Sequence, residues 1–323
     1  MRLTRRQFAA SAATASLIAS PLAALAQRSG MRIFVGFPPG GLPDLVARAV
    51  ADQLRKSFGT PVVVENRPGA NGRIAGQAVK NAAPDGNTFL VAPASNIVHL
   101  PHVYTDLGYD PLKDFVPVAQ MVENDFALTI STKIPATNLK EFAAWCNANP
   151  DKATFASPGA GSSPHLMGLV VAKSLGTKLT HVPYKGSSFA LTDLIGGHVS
   201  AMVSSTSFVV QQHKSNQVRI LATTGRARSG ALPQVPTFQE MGMGELTLTE
   251  GTWLLAPART PQAIIDKASD AAILAVQGPE MQAVIDGQTV AAPLGAIVMR
   301  RLMLAEFERR GAQVKATGFS ASL

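Results

Sequence analysis

Residues 31–65 read MRIFVGFPPGGLPDLVARAVADQLRKSFGTPVVVE, and their pattern indicates the fold class. The stretch opens with a β-branched and aromatic run, Met31 to Phe37, which predicts a strand that ends at Pro38-Pro39-Gly40-Gly41. From Asp44 to Phe58 the apolar residues recur at helical spacing, and Pro43 suits a first helical position. Residues 61–65 form a second β-branched run. Strand, helix and strand joined by short loops predict parallel strands in an α/β sheet.

The same alternation continues along the chain and predicts two α/β halves. Further strands are predicted at 89–92, 126–131, 154–157, 179–182, 199–203, 219–223 and 253–256, and further helices at 74–82, 139–147, 165–175, 189–195, 261–276 and 300–310. The tail after Trp253 shows no sheet of its own, so we expect it to pack on the first half. We therefore predict one domain from residues 27–122 completed by 256–323, and a second from 123–255. Two crossovers place a ligand cleft between the domains.

Composition excludes several classes of protein. The chain has 323 residues, of which 46% are hydrophobic and 15% charged, and this balance excludes gross disorder. A single cysteine, Cys146, excludes an internal disulfide, and six scattered histidines form no metal-binding motif, so we expect no metal and no cofactor. The net charge of +8 is spread along the chain without a basic stripe. It favours small anions over nucleic acid as partners.

Residues 1–26 have the pattern of an export signal. Arg2, Arg5 and Arg6 precede an uncharged segment rich in Ala and Ser, which ends at Ala24-Leu25-Ala26. The neighbourhood of Arg5-Arg6 also fits the twin-arginine pattern. We predict cleavage after Ala26 and a periplasmic location.

Two glycine-rich loops stand between a strand and a helix at matching places in the two halves. The first contains Gly40-Gly41, and the second runs from Ser157 to Ser163 with three hydroxyls. Glycine allows close approach of a ligand, and the N–H groups at a helix start suit an anion. We predict an anion site at these loops, although both also fit ordinary turns. Asp44 in the first helical turn would repel an anion unless it serves as a hydrogen-bond acceptor.

Catalytic motifs are absent from the sequence. A nucleophilic Ser157 or Ser162 with His165 or His181 as base would define a secreted hydrolase, but no Gly-x-Ser-x-Gly occurs. We therefore predict a protein that is not an enzyme and keep the hydrolase as an alternative. Lys185 follows a predicted strand, where it either faces the cleft or is solvated.

Short sequence motifs distributed over nearly the whole chain resemble those of one family. They are Pro38-Pro39-Gly40-Gly41 with Asp44, Val64-Glu65-Asn66-Arg67-Pro68-Gly69-Ala70, Ala83-Pro84-Asp85-Gly86, Tyr109-Asp110-Pro111, the Ser157 to Leu166 loop, His181-Val182-Pro183-Tyr184-Lys185-Gly186, Leu191-Thr192-Asp193-Leu194, Leu221-Ala222-Thr223-Thr224, Val235-Pro236-Thr237 and Leu255-Ala256-Pro257. By their order and spacing the chain resembles the Bug family, the extracytoplasmic receptors of tripartite tricarboxylate transporters. The resemblance implies a two-domain periplasmic binding protein fold of the second, Venus-flytrap type. It also implies a small carboxylate as ligand and membrane transporter subunits as partners, and we expect a monomer.

The resemblance and the loop argument together give a set of expected ligand-binding residues. These are Phe37, Gly40, Gly41, Pro43, Asp44, Ser95, Asn96, Ser157, Gly159, Gly161, Ser162, Ser163, Lys185 and Ser204. Family members commonly carry an Asp near the end of the strand at 199–203, where this chain has Ser204-Ser205. That departure favours a carboxylate ligand without an amine. A protein of this fold that acts as a sensor or scaffold without a transporter is a further alternative.

Overall fold

The computed structural model describes residues 30–285 and 289–317. The strands are β1 (Met31–Val35), β2 (Val62–Asn66), β3 (Thr88–Pro93), β4 (Phe115–Ser131), β5 (Thr154–Ser157), β6 (Thr180–Pro183), β7 (Ala201–Ser205), β8 (Val218–Thr223), β9 (Thr249–Pro257) and β10 (Thr289–Gly295). The helices are α1 (Leu42–Phe58), α2 (Arg73–Lys80), α3 (Ser95–Val98), α4 (Leu100–Val103), α5 (Pro111–Asp114), α6 (Leu139–Ala148), α7 (Ser163–Ser174), α8 (Ser187–Gly196), α9 (Thr206–Lys214), α10 (Gln262–Val276), α11 (Pro279–Gln282) and α12 (Ala296–Thr317). Within these residues no helix combines the length and apolar character that a membrane span requires. The expected export signal lies outside the described residues.

The strands follow the order β2-β1-β3-β9-β4-β7-β5-β6, and β8 and β10 also pair with β4. The pairs β1–β2, β1–β3, β5–β6 and β5–β7 are parallel, whereas all pairs of β4 and β9 are antiparallel. The strand–helix alternation therefore predicted the parallel pairs correctly, but the sheet as a whole is mixed.

Strand β4 joins two lobes of the molecule. Its residues 115–125 pair with β9, and its residues 126–131 pair with β7 and β8. The sequence predicted only 126–131 as strand, because Pro117 and the polar residues from Gln120 to Asp125 interrupt the apolar pattern. Tertiary pairing overrides that local signal, since the whole strand except two positions is buried.

Each lobe has its own hydrophobic core on the two faces of its strands. In the first lobe, Ile33, Val50 and Phe89 pack together with Ile265 of α10. In the second lobe, Phe126, Phe142 and Phe155 form the centre of a separate cluster. The tail after β9 packs on the first lobe, and it also adds β10, which pairs with β4. Within the described residues the tail forms no separate sheet, and the short segment TVAAPLG, which the sequence did not predict as a strand, gains its strand structure from pairing with β4.

Candidate functional site

A cleft of about 320 Å³ lies between the two lobes. The first lobe contributes residues 37–43 to its wall, and the second lobe contributes the segments around Pro158, Ser187 and Ser205. Six serines line the cleft: Ser95, Ser162, Ser187, Ser188, Ser205 and Ser207. Phe126 and Phe208 add apolar surface. The volume and this mixture of hydroxyls and apolar surface suit a small organic molecule.

Four helices of nine or more residues begin at the cleft, namely α1, α7, α8 and α9. Only α7 has a side-chain cap, since Ser162 Oγ accepts a hydrogen bond from the His165 N–H at 3.3 Å. The cap residues of the other three, Gly41, Gly186 and Ser205, make no side-chain cap bond. First-turn N–H groups of a helix lack intrahelical acceptors and carry partial positive charge. The cleft can therefore bind an anion through backbone donors.

Asp44 holds the loop that precedes α1. It is 2% exposed, and its carboxylate accepts hydrogen bonds from Gly40 N (2.9 Å), Asn66 Nδ2 (2.9 Å) and Arg48 Nε (3.0 Å). Burial works to raise the pKa of this carboxyl, but the bonds from Arg48, Gly40 and Asn66 outweigh it and lower the pKa below its usual value. Asp44 thus acts as an acceptor within the protein and fixes the loop shape.

Gly40 and Gly41 have different reasons to be glycine. Gly40 has φ +83°, a left-handed conformation that favours glycine, whereas Gly41 has φ −78°. A Cβ on Gly41 would meet nothing nearer than Pro38 O at 3.7 Å. Among the described residues no acceptor takes the N–H of Gly41 or Leu42. The turn does not require glycine at 41, so its absent side chain leaves these donors accessible from the cleft.

The loop from Ser157 to Ser163 meets the first lobe at Asn71. Asn71 Nδ2 donates to Ala160 O at 3.0 Å, and Tyr104 Oη donates to the same carbonyl at 3.1 Å. Asn71 itself is held in a left-handed conformation with φ 51°, and its carbonyl accepts from Asn96 Nδ2 at 2.5 Å. A Cβ on Gly159 would lie 2.7 Å from the Asn71 side chain. The two lobes therefore touch closely beside the cleft.

A stacked histidine pair lies behind this loop. The rings of His165 and His181 are 3.7 Å apart at 19°, the Gly161 N–H donates to His165 Nδ1, and Ser157 Oγ is 2.7 Å from His181 Nε2. Burial lowers the pKa of His165 to about 4, and burial and the neighbouring ring lower that of His181 to about 3. Ser157 is fully buried and its hydroxyl also donates to Gly159 O. This arrangement supports the loop, and Ser157 is not among the residues that line the cleft. Ser162 does line it, but its hydroxyl donates to Gly159 O at 2.7 Å and accepts from the His165 N–H, so neither bond pairs it with an imidazole that could act as a base.

Because burial disfavours protonation of the histidine pair, we expect the folded protein to lose stability in acid. The unfolded histidines, with a pKa of 6.5, bind protons before the folded ones do, so stability falls as the pH drops from 6.5 to about 4. His165 alone should contribute at most about 3 kcal/mol over that range. In His165→Gln the amide oxygen can still accept the Gly161 N–H, so the loop keeps this hydrogen bond. Because the variant lacks the His165 imidazole, we expect its unfolding free energy, measured by urea denaturation at pH 7, 5.5 and 4, to depend less on pH than that of the wild type. The exposed His198→Gln is the matched control, and an equal pH dependence in wild type and His165→Gln would contradict the argument.

Glu250 is a cleft residue that sequence reasoning missed. It lies in β9 opposite Asn124 of β4, and it is the only charged side chain among the described residues that line the cleft. It is 8% exposed, and Oε1 accepts from Ser95 N at 2.8 Å and from Ser163 Oγ at 3.0 Å. No local motif marks this position, because the long-range pairing of β9 with β4 brings it to the cleft. The serines at 204 and 205 therefore do not leave the cleft without a carboxylate.

The expected ligand-binding residues fall into three groups in the structure. Those that line the cleft are Phe37, Gly40, Gly41, Pro43, Ser95 and Ser162. Those that are buried beside it and hold its walls are Asp44, Asn96, Ser157, Gly159, Gly161, Ser163 and Ser204. Lys185 is exposed and is not among the residues that line the cleft. Ser187, Ser188, Ser205 and Ser207 were missed; the first pair directly follows the Lys185-Gly186 string, and the second belongs to the start of α9, which the sequence did not predict.

Comparison with known proteins connects this cleft to one family. Residues 46–319 match the model of the tripartite tricarboxylate transporter family receptor. The chain belongs to that family. The BugT protein of Bordetella pertussis is 34% identical over 254 residues, which cover 78% of this chain and 78% of BugT.

Solved structures support the assignment of this chain to the receptor family. The periplasmic binding protein BugD superposes with a TM-score of 0.85 at 29% identity, and the match covers 91% of this chain and 99% of BugD. MatC from Rhodopseudomonas palustris, solved with bound malate, superposes with a TM-score of 0.82 at 29% identity over 88% of this chain and 98% of MatC. The fold of the receptor is thus that of a two-domain periplasmic binding protein, as the sequence predicted. The family is one of substrate-binding receptors and not a family of enzymes.

Proposed function

We propose that the receptor captures a small organic carboxylate in the cleft and presents it to the membrane subunits of a tripartite transporter. The observation that carries the proposal is the set of three helix starts, at Leu42, Ser187 and Thr206, that meet the cleft without side-chain caps. Their N–H groups suit a carboxylate through charge-assisted hydrogen bonds. The malate bound to the related MatC supports the same ligand class.

In this proposal one ligand carboxylate lies against the N–H groups of Gly41 and Leu42. The loop containing Ser162 and the serines at the starts of α8 and α9 close on it from the second lobe, directly or through water. The separate hydrophobic cores of the lobes support a division into two domains. Because β4 up to Asp125 and the whole of β9 pair within the first lobe, we place the boundaries at 125–126 and before Thr249 rather than at 122–123 and 255–256. We also propose export with cleavage after Ala26, a monomeric receptor and no catalytic activity of its own.

Binding of carboxylates is measured most directly by thermal shift followed by calorimetric titration. We expect at least one small mono- or dicarboxylate from a panel that includes succinate, malate, glutarate and their amino derivatives to raise the melting temperature. A ligand at 100 times its dissociation constant stabilises the folded state by about 2.7 kcal/mol. Primary amides of the same acids are the control, since they keep the size and lose the charge. The proposal would be contradicted if acids and amides stabilised the protein equally, or if neither stabilised it.

A further inference from the structure

Glu250 places a buried carboxylate in a cleft that binds carboxylates. It is more than nine-tenths buried, and the residues that line the cleft beside it are apolar, glycine, serine or asparagine. An anionic ligand that entered beside an ionised Glu250 would meet a like charge without a basic side chain from the cleft wall to offset it. Such a pair of buried carboxylates is strongly unfavourable, so either the ligand supplies a positive charge or the pair takes up a proton.

The hydrogen bonds of Glu250 are directed at one of its two oxygens. Oε1 accepts from the backbone N–H of Ser95 in the first lobe and from the hydroxyl of Ser163 in the second. Since Ser163 donates to Glu250, its oxygen is left to accept from His99 Nδ1, which lies at 3.1 Å. All of these donors favour negative charge on the carboxylate. Among the described residues no donor binds Oε2.

Burial, two hydrogen bonds and a nearby arginine act on the pKa of Glu250. Burial is the largest of these effects and leaves the pKa above its usual value, although the bonds from Ser95 and Ser163 and the positive charge of Arg310 act to lower it. His99 adds no positive charge at neutral pH, because burial and the charge of Arg310 lower its pKa to about 3. A cation that reaches Oε2 from the cleft would therefore relieve the remaining burial penalty.

We propose that Glu250 is the specificity-determining residue of the receptor and that it selects ligands that carry a protonated amine beside their carboxylate, with the amine bound at Oε2. The proposal rests on the proposed function, since the ligand carboxylate occupies the helix starts. It also reverses the expectation drawn from Ser204-Ser205. The carboxylate that the cleft lacks at the end of β7 is present on β9, on the other side of β4.

Matched acids that differ in one substituent test this selectivity. Three series give hydrogen, hydroxyl and ammonium at the same carbon: succinate, malate and aspartate; glutarate, 2-hydroxyglutarate and glutamate; propionate, lactate and alanine. In the series that fits the cleft, we expect the amino acid to bind at least about tenfold more tightly than the other two members in calorimetric titrations at pH 7.

Glu250→Gln removes the charge and keeps the shape and the acceptor for Ser95 and Ser163. We expect it to lower affinity for the amino acid at least about tenfold and to improve that of the hydrogen and hydroxyl members, because the like charge that opposes them is gone. Glu245→Gln makes the same chemical change at an exposed site outside the cleft and should bind like wild type. Melting curves of all three proteins establish that the variants are folded.

Three outcomes overturn the proposal. One is that succinate or malate binds as tightly as aspartate, or more tightly, and that Glu250→Gln changes none of these affinities. Another is uptake of one proton when a non-amino acid binds, measured in two buffers of different ionisation enthalpy, because Glu250 would then be a neutral donor to a second ligand carboxylate. The third is the absence of binding by every acid tested; this alone also contradicts the proposed function, whereas the first two leave it intact.

Discussion

Gly41→Val should lower the affinity for the carboxylate ligand at least about 100-fold, because it covers the N–H groups at the start of α1. Two charge-assisted hydrogen bonds of about 1.5–3 kcal/mol each are then lost or weakened. The fold should tolerate the change, since φ at Gly41 is −78° and its Cβ would have free space. We expect the melting temperature of the unliganded variant to stay within a few degrees of wild type.

The stability measurement separates the two interpretations of this glycine that the sequence left open. If the turn alone required glycine, Gly41→Val would lower stability and affinity together. Gly230→Val is the matched control, because Gly230 is exposed, lies outside the cleft and has open space around its Cβ position. Normal affinity in a well-folded Gly41→Val protein, measured by calorimetry, would refute the proposed carboxylate position.

Gly159→Ala should lower affinity about 10- to 100-fold by a different route, because it keeps the two lobes apart. Its Cβ would stand 2.7 Å from Cβ, Cγ and Oδ1 of Asn71, and overpacking of this kind costs about 1–3 kcal/mol. Asn71 cannot move aside easily, since it is bonded to Ala160 O and Asn96 Nδ2. A ligand that contacts both lobes stabilises the closed state. Its affinity therefore falls when the added methyl group prevents the lobes from closing fully.

Small-angle scattering and a second substitution identify the cause. Saturating ligand should reduce the radius of gyration of wild type more than that of Gly159→Ala. Asn71→Gly removes the side chain that the new methyl group meets, and glycine suits φ 51°. The double variant should therefore regain affinity relative to Gly159→Ala alone. Failure of the double variant to bind better than Gly159→Ala would show that the contact with Asn71 is not the reason.

Local patterns in the sequence were sufficient for most elements of the fold. The β-branched run at Met31, the helical spacing after Asp44 and the glycine after Phe58 each act within a few residues, so they can be read without the rest of the chain. The same local signals indicated Gly40-Gly41 and the Ser157 to Ser163 loop. Strand β4 before Phe126 and strand β10 could not be predicted this way, because their stability comes from partners far away in the sequence.

Local signals along the chain therefore specify the two α/β halves, the family and one wall of the cleft. Which polar groups face one another inside the cleft depends on the pairing of distant strands. The tertiary structure directed the carboxylate of Asp44 inward to Gly40, Asn66 and Arg48, and it brought Glu250 from β9 to Ser95 and Ser163. Ser95 and Glu250 are separated by 155 residues along the chain, and pairing between distant strands, which local propensity does not encode, places them in contact.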